Sequence, residues 1–189
     1  MTLFLLAGEI AKLPVVTLGG EAVAQVKDIV FEGTSGRVAG LTLSGRGLFA
    51  GPLKQGLPWS GVHALGRDAV MVADTDRFEP RTEVVATSQA QEGDVLGSRV
   101  LTDKGVDLGE VVDVVIAVGA TAEVVGYRIA ANRPDDRRTR HLLVPAPETL
   151  AVSGEALIVP AAAADAMTEE LPEFEAALRT FRARLGGDA

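Results

Sequence analysis

The chain has 189 residues, 47% of them hydrophobic, 23% charged and only 4% aromatic, with 21 Gly, 9 Pro, no Cys and a formal net charge of −8. This balance excludes a disordered chain, no apolar run approaches the roughly 20 residues of a bilayer-spanning helix, and zero Cys excludes disulfide scaffolds, thiolate zinc sites and cysteine nucleophiles. The acidic charge argues against a general nucleic-acid binder, because phosphate contact needs a basic surface, and high Gly with few aromatics points to short strands and turns around small aliphatic cores.

The chain opens with the apolar run Leu3 to Leu6, with no Lys or Arg before it and Glu9 and Lys12 close behind. This pattern predicts a first strand or short lead-in packed on the core, not a signal peptide, and the cytoplasm is the expected location. Next come a short strand at Val15–Thr17, a turn at Gly20, a longer strand at Val23–Phe31 and a turn at Gly33-Thr-Ser-Gly36. A third strand runs to Leu43, a fourth lies near Leu57–Trp59, and a tight turn at Gly66-Arg-Asp68 leads to a last strand ending at Val72.

The same plan then recurs. Residues 14–31 and 99–116 align without gaps, and six of 18 positions are identical: Val15/Val100, Thr17/Thr102, Gly20/Gly105, Val26/Val111, Asp28/Asp113 and Val30/Val115. Downstream, Gly40 aligns with Gly126, Pro58 with Pro145 and Val72 with Val159. The predicted strands of the second copy are Val100–Thr102, Leu108–Ile116, one through Ile129, one near Leu142–Val144 and one ending at Val159 after the turn Ser153-Gly-Glu155. The expected domains are therefore copy one at 1–76, a polar linker at 77–89, copy two at 90–163, and a C-terminal helix and tail at 164–189. Short strands punctuated by Gly turns imply a mainly β fold of two small antiparallel barrels in tandem.

Residues shared by the copies read first as structural. Asp28 and Asp113 sit in the most apolar strand, where an unpaired carboxylate is costly to bury; they are expected to accept backbone N–H groups at a bulge or corner, the alternative being a catalytic or metal carboxylate. Gly40 and Gly126 lie inside a strand pattern and predict a kink or a close backbone approach. Pro58 and Pro145 mark strand ends.

The sequence carries no pattern to which a catalytic role is assigned. His63 and His141 occupy different repeat positions and lack metal-ligand spacing. Ser60, His63 and Asp68 supply the residue types of a hydrolase triad without a nucleophile elbow, and Gly45-Arg-Gly47 lacks the third Gly of a dinucleotide loop. Neither a metal nor a cofactor is expected. Trp59, the single Trp, is read as a plug of the first copy or an exposed partner contact. The basic run from Arg133 to His141, with Arg137, Arg138 and Arg140, is a solvated hairpin or a phosphate or RNA contact.

Residues 172–185 predict a helix with Pro172 at its first position, acidic residues early and Arg late. Leu171, Phe174, Leu178, Phe181 and Leu185 form one apolar stripe. The stripe either docks on the barrels or binds a partner, for which Phe174, Leu178, Phe181 and Trp59 are the candidate contacts.

The run from Asp94 to Ile116, DVLGSRVLTDKGVDLGEVVDVVI, resembles the opening pattern of the PRC-barrel family, named for the cytoplasmic barrel of the photosynthetic reaction-centre H subunit. Copy one carries a weaker version, with Ala24 where the second copy has Gly109. The RNA-processing factor RimM carries a related barrel. The H subunit's N-terminal membrane helix is absent here, and the place of RimM's different N-terminal domain is taken by a second PRC-like copy. The resemblance implies a non-enzymatic protein-interaction or scaffold module that supports assembly of a larger complex, through a protein partner or self-association. The alternatives are an RNA- or ribosome-associated maturation factor, and a barrel that binds a small ligand inside.

Overall fold

A computed structural model describes residues 2–32, 35–47, 50–86, 95–131, 140–147, 151–153 and 156–187. The expected turns at Gly33-Thr34 and Gly154-Glu155 lie outside the described residues. The fold is mainly β, and the chain divides into two compact units, Met1–Gln91 with Ala117–Glu123, and Glu92–Ile116 with Val124–Ala189.

The first unit begins with β1 (Leu3–Leu6) and the short helix α1 (Ala7–Ile10). Glu9 accepts the Leu6 N–H at 3.2 Å, which closes the first turn of α1. Strands β2 (Pro14–Thr17), β3 (Ala22–Glu32), β4 (Arg37–Ser44) and β5 (Pro52–Pro58) then form an antiparallel run. Strand β6 (Val62–Leu65) pairs with β7 (Val70–Val72), which returns parallel to β2. A two-residue strand, β8 (Glu79–Pro80), adds to β5, and helix α2 (Arg81–Ala86) follows. Alternation puts Val15, Ala24, Val26, Leu41, Leu43, Leu57, Val70 and Val72 on the inner face, where each is almost wholly buried. The segment 77–89, expected as a linker, instead supplies β8 and α2, and Val84 of α2 enters the core.

The second unit follows the same pairing plan. Strands β9 (Arg99–Thr102), β10 (Asp107–Val118), β11 (Ala122–Ala131) and β12 (Arg140–Pro145) lie side by side. After them, β13 (Ala151–Ser153) pairs antiparallel with β14 (Ala156–Val159), which runs parallel to β9. Helices α3 (Ala162–Asp165) and α4 (Leu171–Gly187) close the unit. The registers correspond closely: Val15 faces Val70 as Val100 faces Leu157, and Gly40 faces Pro58 as Gly126 faces Pro145.

Each of the six repeated identities has a physical role in both units. The three Val pairs lie in the cores. Thr17 and Thr102 close the following turn in the same way: each hydroxyl accepts a backbone N–H, from Glu21 at 3.2 Å and from Val106 at 3.0 Å. Gly20 and Gly105 take positive φ at those turns, +86° and +76°. Asp28 follows a bulge between Val26 and Asp28. The extra residue breaks the strand's alternation, so Lys27 and Asp28 are both exposed in succession. The bulge turns the Asp28 carboxylate outward, and the donor it meets is a side-chain hydroxyl in place of the expected backbone N–H. There it accepts the Thr42 hydroxyl at 3.2 Å, while its own N–H donates to Thr42 Oγ1 at 3.0 Å. Asp113, half-buried, accepts the Val114 N–H at 2.8 Å.

The in-strand glycines answer to helices. A Cβ on Gly40 would sit 2.7 Å from Val84 Cγ1 of α2 and 2.6 Å from the Leu57 carbonyl. A Cβ on Gly126 would sit 2.5 Å from Phe174 Cζ of α4 and 2.6 Å from the Val144 carbonyl. In each unit a helix lays one apolar side chain over the glycine of the third long strand. Each glycine is approached from two sides, by a carbonyl of the neighbouring strand and by a helix side chain.

Tyr127 neighbours this contact on β11 and is buried in the second unit. Burial pushes its phenol up from 10.0 to about 12. The folded state favours the neutral phenol, so this stabilisation is complete below pH 10 and is lost as pH rises toward 12. The expected result is an alkaline loss of stability across that window, absent in Tyr127→Phe, measured by urea denaturation at successive pH values.

Candidate interaction surface

The structure places the predicted partner-binding stripe inward. Phe174 and Phe181 are 0% and 1% exposed and Leu178 is 5% exposed, all within the second unit. Leu185, at the end of the stripe, is 36% exposed. The helix has this inward face because its apolar side chains recur every three or four residues and β11 offers a glycine beneath it. Capture of a partner by these side chains would require α4 to leave its unit. Trp59 begins a single 3-10 turn after β5 and is half-buried, so it is not a full core plug. Its indole N–H donates to the Ala120 carbonyl at 3.5 Å.

Arg133, Arg137 and Arg138 lie outside the described residues. Arg140 is ion-paired with Glu169. His141 Nδ1 accepts from Arg128 at 3.1 Å, which holds for the unprotonated ring nitrogen. His63, Ser60 and Asp68 are exposed, and among the described residues no hydrogen bond joins them. The interiors are apolar: besides the Tyr127 hydroxyl, the buried polar side chains among the described residues are Thr17, Thr42, Ser98 and Thr102. A ligand inside either unit would find almost no polar group to orient it.

The outer faces carry a feature that sequence inspection missed. In the first unit Val16 of β2 lies beside Met71 of β7 on the face opposite the core. In the second, Leu101 of β9 lies beside Ile158 of β14 at the equivalent register. Each sits between two buried neighbours, so alternation turns it outward. Ile158 is 37% exposed, and Val106 and Val112 of the same unit are 55% and 40% exposed. Beside Leu101 runs the Arg99–Asp107 ion pair, giving the second unit's apolar strip a charged border. An outward aliphatic pair on adjacent strands, rimmed by charge, has the chemistry of a small protein-contact patch. Its signal in the sequence is the middle residue of each short strand: Val16 in VVT, Leu101 in VLT, Met71 in VMV and Ile158 in LIV.

The first unit, with its curled sheet, aliphatic interior and covering helix, is a small β-barrel-like domain. The family model described as PRC-barrel domain matches residues 4–77, and the chain carries a PRC-barrel domain over that stretch. No curated protein matches the chain. Among the described residues no helix is long and apolar enough to cross a membrane.

Proposed function

We propose that this protein is a non-enzymatic interaction module made of two PRC-type barrels in tandem, each with its own covering helix, that docks a protein partner and supports assembly of a larger complex. The domain match over residues 4–77 supports the first barrel. Equivalent strand pairing, turn chemistry and helix-over-glycine contact support reading the second unit as its repeat.

The observation that carries the docking role is the outward aliphatic pair repeated at one register, Val16–Met71 and Leu101–Ile158. Ile158 is exposed and Val16, Met71 and Leu101 are half-buried, and covering their remaining apolar surface would gain about 25 cal/mol per Å².

The test is crosslinking in the native host, combined with sedimentation of the purified chain to detect self-association. Leu101→Glu with Ile158→Glu should abolish the captured complex while the melting curve stays that of a folded protein. A complex that survives this pair, and also survives Val16→Glu with Met71→Glu, would overturn the reading.

A further inference from the structure

We propose that the cleft lined by Lys12, Pro14, Ala24, Gln25, Arg46 and Gly47 is a site for an oxyanion, a carboxylate or phosphate group. This does not rest on the docking role of the outer faces. The cleft has a volume of about 210 Å³. Its lining holds two cations and no carboxylate, in a chain whose net charge is −8. Neither Lys12 nor Arg46 makes an ion pair among the described residues. In an acid-rich protein, two unneutralised cations sharing one cleft set up a local positive field that an anion relieves.

The geometry is arranged in advance. Arg46 Nη1 donates to the Ala22 carbonyl at 2.9 Å, which steadies the guanidinium and leaves its other N–H groups free. Gln25 Nε2 donates to the Lys12 carbonyl at 2.9 Å and fixes the backbone that carries the second cation. The string Gly45-Arg46-Gly47, which no dinucleotide loop explains, has a structural reason. Gly47 takes φ +108°, which a side chain rarely adopts, and a Cβ there would meet nothing within 4 Å. The loop is closed by Gly45 N–H to the Gly51 carbonyl at 3.1 Å and Ala50 N–H to the Gly47 carbonyl at 3.2 Å. The turn therefore holds Arg46 against the start of β3. A fork of N–H donors beside an ammonium matches the oxygens of a carboxylate or phosphate.

The test is a titration of the full chain followed by backbone amide NMR, with inorganic phosphate, glutarate and a short peptide rich in Glu as separate probes. Saturable shifts at Gln25 and Gly47 are expected with at least one probe. Phosphate or glutarate binding without the peptide assigns the site to free small anions, and peptide binding assigns it to an acidic partner segment. Arg46→Ala and Lys12→Ala should each weaken binding by about tenfold, and Arg46→Lys should recover part of the loss. Both cations are exposed, so the variants should retain the parent melting curve. The proposal is overturned if no probe shifts these amides. It is equally overturned if shifts spread evenly over all Lys and Arg neighbourhoods, or if a folded Lys12→Ala/Arg46→Ala chain binds as before.

Discussion

Gly109→Ala is expected to destabilise the second unit by more than about 3 kcal/mol. Gly109 lies in the Leu108-Gly-Glu-Val111 string of β10, at φ +139°. A Cβ there would lie 2.1 Å from the Ala130 carbonyl oxygen and 3.0 Å from Ala131 Cα, both backbone atoms of the neighbouring strand. Backbone cannot rotate aside as a side-chain tip can, so the strands must separate or the ladder must slip. The bulge between Asp107 and Gly109 is the reason for this conformation, and Asp107 Oδ1 holds it by accepting the Gly109 N–H at 3.1 Å. Gly105→Ala is the control. Its φ is +76° and open space surrounds its Cβ position, so only the left-handed penalty of about 1–2 kcal/mol applies. Urea denaturation and amide exchange of β9 to β12 should rank Gly109→Ala well above Gly105→Ala. Equal costs would mean that the contact with Ala130 is relieved by small shifts and does not determine the glycine.

The aligned position in the first unit is Ala24, wholly buried and without positive φ. The bulge itself is shared: Val15 and Val16 face Ala24 and Ala22, which leaves Val23 as the extra residue of β3, just as Leu108 is the extra residue of β10 between Asp107 and Gly109. The two units therefore place the same irregularity on the equivalent strand, and only the second takes it with a positive-φ glycine.

The strands and turns were legible because their determinants are local. Period-two alternation marks the inner residues, and Thr17 with Gly20, like Thr102 with Gly105, makes a turn from neighbours in sequence. The bulge at Asp28 was legible only as an oddity. A carboxylate in an apolar run signals an irregularity, but its outward direction follows from the phase shift at Lys27, which pairing with β4 decides. Helix α2 was hidden for a different reason. It has six residues and contributes one buried side chain, Val84, so it carries no periodic stripe. The glycines announced a close approach, and only the third dimension adds the helix side chains Val84 and Phe174 to the neighbouring strand's carbonyls. The outer pairs Val16–Met71 and Leu101–Ile158 join strands far apart in sequence, so their adjacency is a property of the parallel pairing alone.

Phe174→Ala should cost about 3–5 kcal/mol, because it leaves a ring-sized void between α4 and β11 that rigid strands cannot fill. Phe174 is 0% exposed and its ring occupies the place of a Gly126 side chain. Gly126→Ala should also destabilise, through contact with the ring at 2.5 Å and with the Val144 carbonyl at 2.6 Å. The two changes are coupled: removing the ring relieves the first contact and leaves the second. The double variant should therefore be more stable than the sum of the singles predicts, by about 1 kcal/mol, measured by a denaturation cycle. Val84→Ala in the first unit removes fewer atoms and should cost less than Phe174→Ala, with Gly40→Ala retaining its clash with the Leu57 carbonyl. A Phe174→Ala cost below about 1 kcal/mol would show that α4 spends its time away from the sheet. In that case the stripe of Phe174, Leu178 and Phe181 would be open to a partner, and amide exchange along α4 would be fast in the parent chain. Slow exchange in α4 together with a large Phe174→Ala cost places the stripe's energy in the fold and leaves docking to the outer strands.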